Sequence, residues 1–366
     1  MTESIPLNCY KSYIFHDGIF EKLCHRILNA DQNTIAFVYG NPSGELCVFP
    51  LDVRSQPIRY GGLGVISSVS TCYIKEGLYN IFVITIDGTM TLLSLTYKRG
   101  INTALDSPYI YRFIIEQTIS INSKCTCSIA LHYGNEKQVI IVLGNNNGLL
   151  SAYSYYFKST LEKPFLSLQL EDSIEYIYPF YDTTLMNTKL LVSLSHLSPV
   201  IISLNGSIET LPTLCPCNHN SKSLTTQWIY PVYGKTPKIF VFCSCGMFNI
   251  NGEEKKLSNP INTIWAAILQ RGDLETNNQY SIYDCFIIRH ENNSVSFIDQ
   301  QGNQYSLDIR DIIQCIKTIK LRIENRDEQI VAVFTSNQLI LYRGYKNNYS
   351  IPKLSPDQIY QLIHQK

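Results

Sequence analysis

The stretch Gln138 to Tyr156, QVIIVLGNNNGLLSAYSYY, decides the fold. Val139 to Leu143 is an unbroken apolar run rich in β-branched residues, Gly144 to Gly148 is a turn, and Leu149 to Tyr156 is a second strand. Glycine takes positive φ without steric cost and asparagine tolerates the left-handed region, so the stretch reads as one β-hairpin. A strand that does not alternate between apolar and polar residues is covered on both faces. This hairpin therefore needs sheets above and below it.

Hairpins of the same kind recur along the chain. Before it stand Ala36 to Phe49, AFVYGNPSGELCVF, and Ile81 to Leu95, IFVITIDGTMTLLSL, the latter turning at Asp87-Gly88. After it come Leu190 to Leu204, Ile239 to Ile250, Cys285 to Ile298 and Ile330 to Tyr342. The turns fall roughly every 45 to 57 residues, a period that suits one four-stranded blade of a β-propeller. Most hairpins follow another strand-like run, such as Gly64 to Tyr73, Cys125 to Tyr133 or Ile312 to Ile323. Several precede a fourth, such as Tyr109 to Gln117, Phe165 to Leu170 and Asn303 to Ile309. A pair of β-sandwiches with accidental spacing is the alternative, but seven units that fill the length favour an all-β, seven-bladed β-propeller over residues 1–350. A short run from Tyr10 to Phe15 is placed to complete the last blade as a closing strand, which would remove an open edge.

Residues 351–366 read differently. Ser355 stands at an N-cap, Pro356 at N1 and Gln358 at N3, with Leu354 and Ile359 spaced as a hydrophobic staple, so a short C-terminal helix is expected. Ile359, Leu362 and Ile363 share one face of it. That face either docks back on the ring or binds a partner.

Composition agrees with β-structure. Charged residues make up 16% of the chain, well below the usual share, and there are 25 tyrosines. With 30 Lys+Arg against 30 Asp+Glu, nothing sequence-wide argues for nucleic acid or for an anionic membrane. The first residues lack the pattern of a signal peptide and no apolar run is long enough for a membrane-spanning helix. A cytoplasmic, reducing setting is therefore expected, with the 12 cysteines as free thiols.

No nucleophile elbow, phosphate loop, zinc-protease motif or dinucleotide fingerprint occurs. The seven histidines are scattered, and Arg289, His290 and Glu291 read as single turn residues. Cys215, Cys217 and His219 lie in a loop after the fourth hairpin, and Cys243 and Cys245 follow, a set that offers soft ligands to zinc. The spacing is not that of a zinc knuckle, and two cysteines alternating on a strand would stand about 7 Å apart. Packing as small apolar groups is the default. Calcium-loop-like segments, such as Asn29 to Asn33 and Asn325 to Glu328, are short of carboxylates. No cofactor is expected.

The succession from LNADQNTIAFVYGNPSGELCVFPLD through VISSVSTCYIKEGLYNIFVITIDGTMTLLSL to SINSKCTCSIALHYGNEKQVIIVLGNNNGLLSAYSY resembles the integrin-alpha FG-GAP repeat-containing protein 2 family. Gly40-Asn41-Pro42-Ser43-Gly44 matches that family's first hairpin turn, with Asn where the family has Asp. Similar turns occur in kaptin and in the propellers of ciliary coat complexes. The resemblance implies a non-catalytic propeller subunit of the KICSTOR complex. Such a subunit pairs with kaptin and helps place the negative regulator of the Rag GTPases at the lysosome surface, restraining target-of-rapamycin complex 1 when nutrients are short. Two further readings stand beside it: a propeller of a ciliary or vesicle-coat complex, and an enzyme or lectin that uses the central funnel. For partner contacts, the sequence offers the face of Ile359, Leu362 and Ile363 and the loop of Cys215, Cys217 and His219.

Overall fold

A computed structural model of the chain describes residues 7–14, 24–30, 33–40, 43–51, 58–75, 78–99, 109–121, 124–132, 138–156, 159–161, 163–182, 187–211, 223–228, 238–250, 253–271, 281–298, 304–307, 309, 312–323, 326–335 and 338–344. Within them every regular element is a β-strand, and the strands form seven four-stranded antiparallel sheets. The helix expected over 351–366, with Ile359, Leu362 and Ile363, lies outside the described residues.

The first blade is β2 (Cys24–Ala30), β3 (Asn33–Gly40), β4 (Leu46–Pro50) and β5 (Ile58–Tyr60). The second is β6 (Ile66–Lys75), β7 (Leu78–Thr85), β8 (Thr89–Arg99) and β9 (Tyr109–Ser120). The third is β10 (Cys125–His132), β11 (Gln138–Asn145), β12 (Leu149–Tyr156) and β13 (Leu166–Gln169). The fourth is β14 (Ile174–Asp182), β15 (Asn187–Leu194), β16 (Val200–Ser203) and β17 (Ile208–Thr210). The fifth is β18 (Ser223–Trp228), β19 (Lys238–Cys243), β20 (Met247–Ile250) and β21 (Glu253–Lys256). The sixth is β22 (Ile261–Arg271), β23 (Ser281–His290), β24 (Val295–Ile298) and β25 (Gln304–Leu307). In the seventh, β26 (Ile313–Ile323), β27 (Arg326–Thr335) and β28 (Gln338–Gly344) are completed by β1 (Leu7–Ile14).

Neighbouring blades touch in turn, through their first strands in most cases and through β15 and β18 between the fourth and fifth, and β26 of the seventh touches β3 of the first. The ring is closed. β1 pairs antiparallel with β28, Leu7 opposite Gly344 and Ile14 opposite Gln338, so the start of the chain supplies the outer strand of the last blade. The expected closing strand is thus present, beginning three residues earlier than the sequence run.

Apolar seams between neighbouring blades hold the ring together. β7 is buried along its whole length and β11 along all but its first residue, as expected for the apolar runs Ile81 to Ile84 and Val139 to Leu143 between two sheets. One seam joins Phe37, Tyr39 and Phe49 of the first blade to Ile330, Phe334 and Leu341 of the seventh, with the rings of Phe37 and Phe334 edge to face at 4.7 Å. Others set Phe82 against Tyr155, and Phe242 against Phe286. Burying such a ring contributes about 1.5–3 kcal/mol, so the seams supply much of the stability.

Several short strands escape the sequence reading. β5 and β17 have three residues each and β21 has four. Of the segment Asn29 to Asn33, read as a calcium-like loop, Asn29 and Ala30 end β2 and Asn33 starts β3. Arg326, Asp327 and Glu328 likewise lie within β27.

Candidate protein-interaction face

The inner strands begin opposite the residues that precede the hairpin turns: Ile66 faces Thr85, Cys125 faces Asn145, Ile174 faces Leu194, and Ile313 faces Thr335. One face of the ring therefore carries both the hairpin turns and the links between blades. The turns are built alike. Gly88, Gly148 and Gly246 donate N–H bonds back to Thr85, Asn145 and Cys243, and all three glycines have positive φ. This is a tight turn ending in a left-handed residue, which glycine adopts without strain. In the sixth blade Asn293 takes that place at φ 62°.

Side chains lock several of these turns. Asp87 Oδ1 accepts the Thr89 N–H at 3.2 Å and the Thr85 hydroxyl. Those bonds, the Thr85 hydroxyl first, hold the Asp87 carboxyl below its ordinary value. Asn147 and Asn292 repeat the pattern, accepting from the N–H two residues on. The longer turn of the fourth blade is capped differently. Asp172, in the link before β14, accepts from the backbone N–H groups of His196 and Leu197, and lies 3.2 Å from His196 Nδ1. Partial burial alone would raise the Asp172 carboxyl, but the bonds from His196, Ser173 and Leu197 outweigh it and leave it lowered.

A second device ties blade to blade. Five inner strands carry an irregularity just after their first residue, which leaves Ser67, Thr126, Glu175, Asn262 and Gln314 out of register. Thr126 Oγ1 lies 2.9 Å from Gly144 O in its own blade and 2.6 Å from Ile174 O in the next. Arg289, at the end of β23, reaches Asn262 Oδ1 at 2.6 Å and crosses to Ile313 O at 3.0 Å. His290 is fully buried, with Nδ1 facing the Asn259 and Pro260 carbonyls at 3.2 Å and Nε2 facing Ser296 Oγ at 2.8 Å. Carbonyls only accept, so Nδ1 carries the proton and Nε2 accepts from Ser296. Arg289 and His290 are therefore structural groups at a strand end. Reading them as turn residues was wrong because the turn starts one residue later, at Glu291.

The same face exposes large apolar side chains: Val65 and Ile312 in links, Ile86 and Leu197 in turns. Ile312 is 56% and Ile86 52% exposed. Tyr176, two residues into β14, is half exposed, and its ring lies 6.1 Å from that of Tyr178. Burial first, then the charge of Glu175 and the thiols of Cys315 and Cys127, raise its hydroxyl pKa.

The cysteines call for one correction. Cys245 lies in the turn after β19, and not on the strand, so its Sγ comes within 3.2 Å of Cys243 Sγ, where alternation on a strand would give about 7 Å. Burial is the main cause that raises the Cys245 thiol. Cys215, Cys217 and His219 lie outside the described residues. Among the described residues no three His, Cys, Asp or Glu side chains come together as metal ligands. Cys47 and Cys72 are buried in seams, and burial pushes their thiols up to about 11 and about 12. They pack as small apolar groups. Among the described residues no helix is long and apolar enough to cross a membrane.

Sequence reasoning missed the exposed apolar set. Ile86 and Leu197 interrupt otherwise polar turns, and that contrast is the signal that could have found them.

These features define a closed seven-bladed β-propeller whose turn face is polar-locked and dotted with apolar side chains. No protein-family model and no curated protein matches the chain. Among solved structures it is similar to BBS1N crystallised in complex with ARL6DN, at 9% identity and a TM-score of 0.61, covering 95% of this chain and 99% of that one. It is also similar to Sqt1 of Saccharomyces cerevisiae, at 10% identity and a TM-score of 0.54 over 94% of this chain and all of that one. The WD40 domain of SCAP from fission yeast matches at 11% identity and a TM-score of 0.54, over 91% of this chain and 98% of that one. At such identities the likeness concerns the fold.

Proposed function

We propose that this protein is a non-catalytic propeller adaptor that holds protein partners on its turn face. The observation that carries the reading is the set Val65, Ile86, Leu197 and Ile312, apolar side chains exposed around a face whose backbone is otherwise fixed by hydrogen bonds. A rigid ring with exposed apolar anchors on a polar ground is the arrangement that protein interfaces use. BBS1N, which is similar over the whole ring, is itself seen with a protein bound.

The finer reading is a KICSTOR-type subunit that pairs with a kaptin-like propeller and acts from the cytoplasm at the lysosomal membrane. Its support is the resemblance of the first three hairpins to the integrin-alpha FG-GAP repeat-containing protein 2 family. A propeller subunit of a ciliary or vesicle-coat complex is the second reading, supported by the similar hairpin turns that such propellers carry. Affinity purification with mass spectrometry tests them together. Stoichiometric kaptin selects the first and coat subunits select the second. An absence of any stable partner overturns the adaptor reading itself.

A further inference from the structure

Open sheet edges invite pairing with other chains, and this ring blunts most of its own by keeping the outer strand short. β5 and β17 have three residues, and β13, β21 and β25 have four. β1 has eight, because it is the closing strand. β9, the outer strand of the second blade, has 12 residues, and no described strand pairs with its outer side. It also exposes two consecutive large apolar residues, Ile114 at 40% and Ile115 at 49%. The shortness that protects the other outer edges is missing here.

The sequence of β9 indicates what covers it. Arg112 and Glu116 are both exposed and stand two residues either side of Ile114. In an antiparallel pair of identical strands centred on Ile114, Ile114 faces Ile114, Arg112 faces Glu116 of the other strand, and Glu116 faces its Arg112. Phe113 faces Ile115. Directly opposed side chains lie about 4.5–5.5 Å apart, where opposite charges attract and apolar groups cover one another. Neither charge has an ion-pair partner among the described residues of its own chain. A two-fold interface has to be self-complementary, and this five-residue stretch is. The irregularity in the β8 pairing falls at Glu116 itself, so the regular pairing runs through Ile115 and Glu116 closes the stretch.

We propose that β9 is a self-association edge: two copies of the chain pair antiparallel through it, with Ile114 on the two-fold axis, joining two blades into one continuous sheet. This rests on β9 alone and is independent of the turn face.

Sedimentation velocity of the purified full chain across a concentration series tests the proposal. The expected result is a monomer–dimer equilibrium that Arg112→Glu weakens about tenfold, since two symmetric pairs turn from attractive to repulsive. The double change Arg112→Glu with Glu116→Arg restores it. Arg112 and Glu116 are exposed, so neither change threatens folding, which circular dichroism confirms for each variant. Ile114→Cys supplies a second readout, a covalent dimer on oxidation in excess of any that the unaltered chain forms through its own thiols. A chain that stays monomeric at tens of micromolar overturns the proposal, as does a dimer indifferent to Arg112→Glu. So does a monomer that loses a different protein on Arg112→Glu, because the edge then belongs to that partner's strand.

Discussion

Gly148 shows how much one residue of the turn face carries. Its φ is +82°, and a Cβ there would meet Leu170 O at 2.3 Å and Asp172 O at 2.8 Å, both backbone atoms that cannot swing aside. Gly148→Ala is expected to cost roughly 2 kcal/mol or more, combining left-handed strain with displacement of the link to the fourth blade. Urea unfolding measures it. Asp172 gives a pH signature. Its folded carboxyl is held below the ordinary value near 3.9, so its stabilisation is present above that pH and is lost as pH falls through the folded value. Asp172→Asn should lower stability at neutral pH by about 2 kcal/mol, for loss of charged hydrogen bonds. Its own stability should then vary less between pH 5 and pH 3 than that of the unaltered chain, a comparison read from unfolding midpoints across that range. At this scale the sequence was legible where chemistry is local, as in the Asp87-Gly88 turn. It was not legible where packing decides, as for His290, whose burial depends on Ser296 and on carbonyls some 30 residues earlier.

Among the elements, β1 is the one whose role extends furthest. It is local in sequence to nothing it touches, and its partner β28 stands at the far end of the chain. Deleting Leu7–Ile14 should leave the outer side of β28 unpaired, lower the thermal midpoint and promote association through the new edge. A synthetic Leu7–Ile14 peptide added in excess should partly restore the midpoint, because binding only the folded ring stabilises it. Thermal melts with and without the peptide check this. The hairpins were readable because their strands are long, apolar and divided by glycine or asparagine. β5, β17 and β21 were not, since three or four mostly exposed residues hold too little alternation to register against loop composition. β2, CHRILNA, mixes polar and apolar residues, so its end passed for a cation loop.

For the whole molecule, the period of the hairpins was sufficient to foresee a seven-bladed ring, because each blade must cover its neighbours. The surface that serves the ring's function was not foreseeable in the same way. Val65 and Ile86 meet at the second blade, where Ile86 donates its N–H to the Val65 carbonyl, but only closure of the ring brings Leu197 and Ile312 to the same face. The contacts proposed from sequence, at Ile359, Leu362 and Ile363 and at Cys215, Cys217 and His219, lie outside the described residues and add no support to that face.

The measurement that meets the central claim most directly is partner capture from cells by the unaltered chain beside an Ile86→Lys, Leu197→Lys, Ile312→Lys variant. All three positions are exposed, so the variant should fold with an unchanged thermal midpoint. The adaptor account predicts that the principal stoichiometric partner is retained by the unaltered chain and lost, by tenfold or more, from the variant. Equal capture by both would contradict it.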